Sequence, residues 1–242
     1  MSHHAGMQIT KHDTDHYEDR PEGAKPDILV LHYTETRDLK EAEDYFAGRV
    51  PHPSGGRVSV HYMVDIDGGV HQYVDEDKRA WHAGVGYWRG CTDVNSHSIG
   101  VEIVHPGHKY GYGPFPDAQI DAVIALCQDV VSRHEIEARN VVAHSDIAPD
   151  RKIDPGELFP WDKLAAQGVG RVAEALRADV AGLMQEPDIV KEMLLAYGYD
   201  PQQPLDVLLS AFQRHFVQDA FVRGEQGRLT QQTVLCLLSL IK

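Results

Sequence analysis

The stretch Ile28-Leu29-Val30-Leu31, followed at once by His32, decides the fold that this sequence predicts. It is short, apolar, rich in branched side chains and nearly continuous, a pattern typical of a strand that is buried on both faces. Ile99–Val104 and Val141–Ala143 have the same character. The three runs therefore predict interior strands of a covered sheet.

Further strands and helices are interspersed with these runs. Val58–Ile66 alternates between apolar and polar residues, and Asp67-Gly68-Gly69 then signals a hairpin that leads into Val70–Val74. Asp38–Gly48 and Asp117–His134 are predicted helices, the second with apolar residues at helical spacing. The mixture predicts an α/β fold in which helices flank a mixed central sheet.

Polar side chains lie within or directly after the predicted interior strands. His32 follows the first strand, Glu102 lies inside the second, and His144 follows the third. Neighbouring strands of a rigid sheet can bring such groups together before any metal arrives, as a catalytic site requires. The sequence therefore predicts one polar site that several strands build jointly.

The segment that begins at His144 adds the remaining groups: Ala143-His144-Ser145-Asp146-Ile147-Ala148-Pro149-Asp150-Arg151-Lys152-Ile153-Asp154-Pro155-Gly156. Two His and one Asp suit Zn²⁺ and leave its fourth position free for water. We therefore predict His32, His144 and Asp154 as metal ligands and Zn²⁺ as the cofactor. A single His after a strand is more often structural, so the residues alone leave a zinc site and a set of unrelated polar side chains equally open.

Glu102 and Lys152 are the candidate catalytic residues. Glu102 lies between Val101 and Ile103, and a buried carboxylate without a partner is costly. It either forms an ion pair with a Lys or Arg, or it holds and deprotonates the attacking water. Lys152 is two residues from Asp154, so it is either a solvated lysine or a donor to the oxyanion of a tetrahedral intermediate.

Candidate substrate contacts are His61, His82 and Asn95. The alternative for the two histidines is a structural imidazole whose hydrogen bonds are made within the protein. The alternative for Asn95 is a turn or a cap before the Glu102 strand.

The composition argues against several classes of partner. A formal net charge of −14 opposes binding to nucleic acid or an anionic membrane surface, because both need clustered Lys and Arg. A hydrophobic content of 42% is enough for a real core. The cysteines Cys91, Cys127 and Cys236 are odd in number and lack a Cys-x-x-Cys pair, which favours free thiols in a reducing compartment.

Three regions are expected along the chain. Residues 1–24, with His3, His4, His12 and His16, are expected to form a polar leader without an export signal. With no predicted membrane span the protein is expected to be cytoplasmic, and the alternative is an envelope protein whose leader has been removed. Residues 25–180 are expected to form the α/β domain. An Ala-rich helix is predicted over Leu164–Leu183, with Gly168 and Gly170 interrupting its start. Residues 187–242 form a small three-helix domain with its own core, from the helical patterns Ile189–Tyr197, Pro204–Phe216 and Thr230–Ile241.

Five segments, in order, resemble the amidase-2 group, the zinc-dependent N-acetylmuramoyl-L-alanine amidases of the AmpD type, which are related in fold to peptidoglycan recognition proteins. The segments are Leu31-His32-Tyr33-Thr34, Val60-His61-Tyr62, Ala80-Trp81-His82-Ala83-Gly84, Asn95 with Ser98-Ile99-Gly100-Val101-Glu102, and Ala143-His144-Ser145-Asp146 through Lys152-Ile153-Asp154-Pro155-Gly156. The resemblance covers residues 25–165, and it implies the zinc ligands and the catalytic pair already named. The tail resembles a peptidoglycan-binding module, and the combination is similar to AmiD-type amidases.

The resemblance implies a hydrolase in cell-wall recycling or turnover. Its substrate would be the amide between N-acetylmuramic acid, or its 1,6-anhydro form, and the L-alanine of the stem peptide, in muropeptides or in the sacculus. Two rival classes remain open. One is a recognition protein that keeps the fold without catalysis, and the other is a zinc peptidase that cuts within the stem.

Overall fold

The strands of the chain are short and lie almost entirely in its first two thirds. A computed structural model describes residues 7–53, 55–174 and 176–241. The strands are β1 Ile9–Lys11, β2 Glu18–Asp19, β3 Ile28–Tyr33, β4 Tyr62–Val64, β5 Val70–Gln72, β6 Lys78–Arg79, β7 Ser98–Ile103 and β8 Val141–Ala143.

The helices surround these strands and make up the tail. They are α1 Leu39–Phe46, α2 Val94–His97, α3 Gly107–Tyr110, α4 Asp117–His134, α5 His144–Ile147, α6 Trp161–Ala166, α7 Pro187–Tyr197, α8 Leu205–Phe216, α9 Asp219–Val222 and α10 Gln231–Leu240. Ala138–Asn140 and Leu183–Gln185 are turns of 3₁₀ helix. Two predicted helix starts are confirmed by side-chain caps: Asp38 accepts from the Glu41 N–H at 2.9 Å, and Thr230 accepts from the Thr233 N–H at 3.2 Å.

The main sheet has six strands in the order β1-β5-β4-β7-β3-β8, and β2 and β6 form a separate antiparallel pair. Only β4 and β5 run antiparallel in the main sheet, across the predicted Asp67-Gly68-Gly69 turn, so the predicted mixed sheet is confirmed. The register places His32 opposite Glu102 and Leu31 opposite Ala143. Helix α5, whose first residue is His144, therefore begins where β8 ends, near the carboxyl ends of β3 and β7.

The two faces of the sheet are covered by different parts of the chain. Leu29 and Leu31 belong to a buried cluster that includes the apolar side of α4. Ile28 and Val30, which point the other way because strand side chains alternate, belong to a second cluster that continues into the tail helices. Both faces of β3 are therefore buried, as its continuous apolar sequence predicts.

The tail shares its core with the sheet, although the sequence analysis expects a core of its own. Leu194, Leu208 and Phe212 of the tail lie in one cluster with Val142 of the sheet and with Trp88. The sequence pattern identifies which tail residues are apolar, but it cannot say which surface they pack against.

The predicted helix over Leu164–Leu183 is wrong. Helix α6 ends at Ala166, and Gly168 and Gly170 follow with φ of +81° and +79°. This left-handed backbone suits glycine and stops a right-handed helix. Between this point and the 3₁₀ turn at Leu183, the described residues form no regular helix.

The described part of the expected leader packs against the domain. Strand β1 pairs in parallel with β5, β2 pairs with β6, and the His16 ring is hydrogen-bonded to the Val58 carbonyl at 3.1 Å. His3 and His4 lie outside the described residues. Backbone pairing therefore joins this polar segment to the rest of the domain. The pairing could not be predicted from the sequence, because the segment has few apolar residues.

None of the helices in the described residues has the combination of length and apolar character that crossing a membrane requires.

Candidate active site

The three predicted metal ligands meet at the carboxyl ends of β3 and β8. His32 Nδ1 lies 2.8 Å from His144 Nδ1 and 3.2 Å from Asp154 Oδ2, and His144 Nδ1 lies 2.9 Å from the same oxygen. All three side chains are buried. The Ser145 N–H donates to the Asp154 carbonyl at 3.0 Å, which holds the two ends of the ligand segment together. The geometry therefore brings two nitrogens and one oxygen to a single point.

The protonation of the two rings fits a metal centre. His144 Nε2 donates to the Ala83 carbonyl at 3.1 Å, so its Nδ1 lone pair faces the other two ligand atoms. His32 Nε2 bonds to His82 Nδ1 at 3.0 Å, and His82 Nε2 bonds to Ser98 Oγ at 3.1 Å. In the tautomer in which Ser98 accepts from His82 and His82 accepts from His32 Nε2, the His32 Nδ1 is free to accept as well. Outer hydrogen bonds that fix the tautomer are typical of histidines that ligate metals, and two nitrogens with one carboxylate suit a divalent zinc ion.

The electrostatics of the site favour a neutral His32 imidazole beside an ionised Asp154 carboxylate. Burial, together with the neighbouring His144, lowers the pKa of His32 to about 4. Burial would raise the pKa of Asp154, but the adjacent His144 and His32 hold it well below the usual range for an aspartate. These are the protonation states in which both residue types bind a cation.

Glu102 lies beside this group without a partner for one of its oxygens. Its side chain is buried, and among the described residues no donor bonds to Oε2 and no Lys or Arg forms an ion pair with it. Burial and the nearby Asp154 raise its pKa well above the usual value for a glutamate. Among the described residues Glu102 therefore forms no close ion pair, although the positive charge of Lys152 partly opposes the rise in its pKa.

A cleft of ≈ 370 Å³ opens onto the ligands. Its lining residues come from several separate regions of the chain and include Tyr33, Trp81, Glu102, Arg151, Lys152 and Asp154. Lys152 is half-buried in its wall. The cleft thus brings the metal ligands, the orphaned carboxylate and a cation to one surface that a substrate can reach.

The predicted substrate contacts divide into two groups. His82 lines the cleft and also supports His32 from behind. His61 and Asn95 are buried and lie outside the described lining of the cleft. His61 Nδ1 accepts from the Gly100 N–H at 3.0 Å, and Asn95 Oδ1 accepts from the N–H groups of His82 and Ala83.

Two residues of the site were missed by the sequence analysis. Arg151 donates to the carbonyls of Ala83 and Val85, and so fixes the loop whose Ala83 carbonyl also holds His144. Gly100 leaves room for the His82 ring, because a Cβ there would lie 2.5 Å from its Cγ. An isolated glycine inside an apolar strand is a signal of such close approach. For Arg151 the sequence contains no comparable signal.

A second group that could hold a metal lies elsewhere in the described chain. It consists of His12, Glu43 and His71, and His12 Nε2 lies 2.9 Å from His71 Nδ1. Its carboxylate already accepts from the Tyr73 hydroxyl and pairs with Arg49. The buried group at His32 is therefore the better candidate for a catalytic metal.

Comparisons with known proteins agree with this geometry. The model of the amidase-2 family, described as N-acetylmuramoyl-L-alanine amidase, matches residues 22–157. The N-acetylmuramoyl-L-alanine amidase AmiD of Escherichia coli (strain K12) is 37% identical over 235 residues, which covers 87% of this chain and 82% of that protein. The 1,6-anhydro-N-acetylmuramyl-L-alanine amidase AmpD of Enterobacter cloacae is 36% identical over 168 residues, 62% of this chain and 85% of that protein.

A solved structure extends the likeness to the tail. The complex of E. coli AmiD with the substrate anhydro-N-acetylmuramic acid-L-Ala-D-gamma-Glu-L-Lys superposes with a TM-score of 0.75 at 34% identity and covers 91% of each chain. The matched residues contain every ligand and catalytic candidate named above. The chain therefore belongs to the amidase-2 family of N-acetylmuramoyl-L-alanine amidases.

Proposed function

We propose that this chain is a zinc enzyme that hydrolyses the amide between N-acetylmuramic acid, or its 1,6-anhydro form, and the L-alanine of the stem peptide, in recycling or turnover of the cell wall. The observation that carries the proposal is the buried, unpartnered Oε2 of Glu102 beside two imidazoles and a carboxylate that meet at one point. The names of the relatives and the substrate in the AmiD complex support the substrate class.

His32, His144 and Asp154 would hold the zinc ion. When bound, zinc supplies a Lewis acid that polarises a carbonyl and acidifies water. His82 and Ala83 hold the two histidine rings in the orientation that presents Nδ1 of each, so the ligand geometry is fixed before the ion arrives.

Glu102 would accept the proton of the attacking water, and Lys152 would stabilise the negative charge of the oxyanion. Glu102 orients the attacking water and accepts its proton, because no other bond competes for Oε2. Lys152 donates to the oxyanion that forms as the carbonyl becomes tetrahedral. Proton balance requires that the departing L-alanine nitrogen receive a proton, and we assign that transfer to the same Glu102 carboxyl.

Substrate contacts and wall binding complete the proposal. His82 is the one of the three candidate contacts that reaches the cleft, while His61 and Asn95 act behind it by holding Gly100 and the His82–Ala83 backbone. The tail, residues 187–242, would bind peptidoglycan. Its support is the resemblance of its helices to that class of module.

One experiment tests the activity and its rivals. Purified protein is incubated with anhydro-muropeptide and with sacculi, with and without a chelator, and the products are identified by mass spectrometry. We expect free stem peptide that begins at L-alanine, lost on chelation and restored by Zn²⁺. Cleavage inside the stem would indicate a peptidase, and binding without any product would indicate a recognition protein. Co-sedimentation of the full chain with sacculi tests the tail in the same samples.

A further inference from the structure

The turn that carries His144 is closed by a buried carboxylate. Asp146 Oδ2 accepts from the Ala143 N–H at 2.8 Å, which links the end of β8 to the start of α5. The Asp146 side chain is completely buried. A carboxylate in such a place needs further donors, because a buried acceptor without partners costs free energy.

The tail supplies those donors. The Tyr199 hydroxyl donates to Asp146 Oδ1 at 2.7 Å, and His215 Nδ1 donates to Oδ2 at 2.7 Å. Both tail residues are themselves buried. The His215 ring lies between Trp161 and Phe216, with ring centroids 3.8 Å from each. The Asp146 carboxylate of the ligand-bearing turn therefore has its side-chain donors only when the tail is docked.

The tail also holds the far end of the ligand segment. Gln218 donates to the Phe159 carbonyl at 2.7 Å, and Arg214 lies 3.6 Å from the Glu157 carboxylate. Asp146 and Phe159 bracket the segment that contains Asp154. Helix α8 and Gln218, two residues beyond its end, thus contact the segment on both sides of this candidate ligand.

We propose that Tyr199 and His215 are positioning residues of the metal centre, which hold Asp146 and through it the turn that presents His144. The inference rests on the proposed function, because it takes His144 as a zinc ligand. It gives the tail a role in the catalytic domain that is separate from any binding of glycan. Residues that orient a ligand without touching the metal commonly change metal affinity by about 10-fold or more when they are replaced.

Four variants of the full-length chain test the proposal. Tyr199→Phe and His215→Phe remove one donor each and keep the aromatic ring. His215→Asn keeps a donor near the position of Nδ1. The control is Tyr197→Phe, which removes a buried tail tyrosine's hydroxyl that, among the described residues, makes no hydrogen bond to Asp146.

The measurements are the rate of zinc release to a chelator, the visible spectrum of the cobalt-substituted protein, kcat and KM separately, and the melting temperature. We expect Tyr199→Phe and His215→Phe to release zinc about 10-fold faster. Their cobalt spectra should change and kcat should fall with little change in KM. His215→Asn should restore much of the loss, and Tyr197→Phe should behave as wild type in metal release and spectrum.

Two kinds of failure are distinguishable. If wild-type protein binds no metal through His144, the proposed function fails. If wild type binds one ion that His144→Ala loses, while Tyr199→Phe and His215→Phe keep wild-type release rates and cobalt spectra, only the positioning role is overturned. A lower melting temperature with unchanged metal properties also overturns it, because a merely structural contact would give that result.

Discussion

Glu102, the candidate proton acceptor, is a residue whose burial costs stability. Its strand neighbours are apolar, its side chain is buried, and Oε2 has no donor in the described chain. Such a group destabilises the fold unless something compensates, and catalytic sites are where this is tolerated. The raised pKa that burial and Asp154 impose on Glu102 is the expected sign of that cost.

Glu102→Gln separates the catalytic role from a structural one. We expect kcat to fall by about 10²–10⁴-fold, since the variant cannot accept a proton, while the zinc content stays at the wild-type level. The melting temperature should stay the same or rise, because a buried carboxyl whose ionisation is costly is replaced by a neutral amide. Steady-state kinetics, metal analysis and calorimetry check the three parts. A fall in melting temperature with near wild-type kcat would assign Glu102 to the fold instead.

The candidate metal ligands could be chosen from the sequence because each has a local signal, and their role as ligands stays a prediction. His32 and His144 directly follow buried strands, and Asp154 lies in the same short segment as His144. The supporting residues could not be predicted in this way. Asn95 reaches the backbone of His82, and Arg151 reaches that of Ala83 across 68 positions, so their roles depend on how distant loops fold together.

At the scale of elements, one carboxylate joins the end of helix α4 to the sheet. Glu76 accepts from the Tyr62 hydroxyl of β4 at 2.7 Å and from His134 at 2.8 Å, and it pairs with Arg133. Burial would raise the pKa of Glu76, but its bonds to Arg133, His134 and Tyr62 hold it well below the usual range. The carboxylate form therefore fastens α4 in place.

Replacing this carboxylate should loosen α4 in a pH-dependent way. The pKa of Glu76 is lower in the folded than in the unfolded chain. Its contribution to the free energy of unfolding is therefore present above about pH 4.5 and is lost as pH falls below that value. We expect Glu76→Gln to lower the free energy of unfolding by about 1–2 kcal/mol at pH 7, with Arg133 partly exposed, and by less as pH drops toward 3. Urea unfolding at several pH values measures this.

The matched control is Glu137→Gln, whose partners Arg89 and Arg139 lie at the surface. It should shift the unfolding curve much less than Glu76→Gln does at pH 7, because solvent screens ion pairs at the surface. An equal loss in Glu76→Gln at pH 3 and pH 7 would contradict the assigned charge interaction.

Helices and strands whose ends are marked by particular residues in the sequence could be predicted, and those without such residues could not. Helix α4 is bounded in the structure as in the prediction, because Pro116 precedes it and its apolar residues keep one period. The Ala-rich stretch after Leu164 contains good helix formers. Gly168 and Gly170, which have left-handed backbone conformations, nevertheless end the helix before most of those residues. The Ala-rich composition therefore predicted a helix that is too long. The polar composition of the N-terminal segment gave no sign of β1, whose pairing with β5 comes from backbone hydrogen bonds.

At the scale of the whole molecule, the sheet and the tail form one apolar unit. A single buried cluster runs from Ile28 and Val142 in the sheet, through Ile147 next to the metal ligands, to Leu208 and Phe212 in the tail. The sequence marks these residues as apolar but gives no sign that the tail helices cover the sheet, because packing partners are set by three-dimensional contact. A substitution that disrupts the packing of the tail should therefore also lower the stability of the sheet.

Phe212→Ala tests that coupling. The side chain is completely buried in α8, and a Phe→Ala change at such a site costs about 3–5 kcal/mol. We expect one unfolding transition in calorimetry, shifted to lower temperature as a whole, with loss of amidase activity and of helical signal at the same temperature. The control Val222→Ala, at a side chain that is 86% exposed, should leave the transition in place. Two transitions, of which only the helical one moves, would mean that the tail unfolds independently and that its contacts with the sheet contribute little to the catalytic domain.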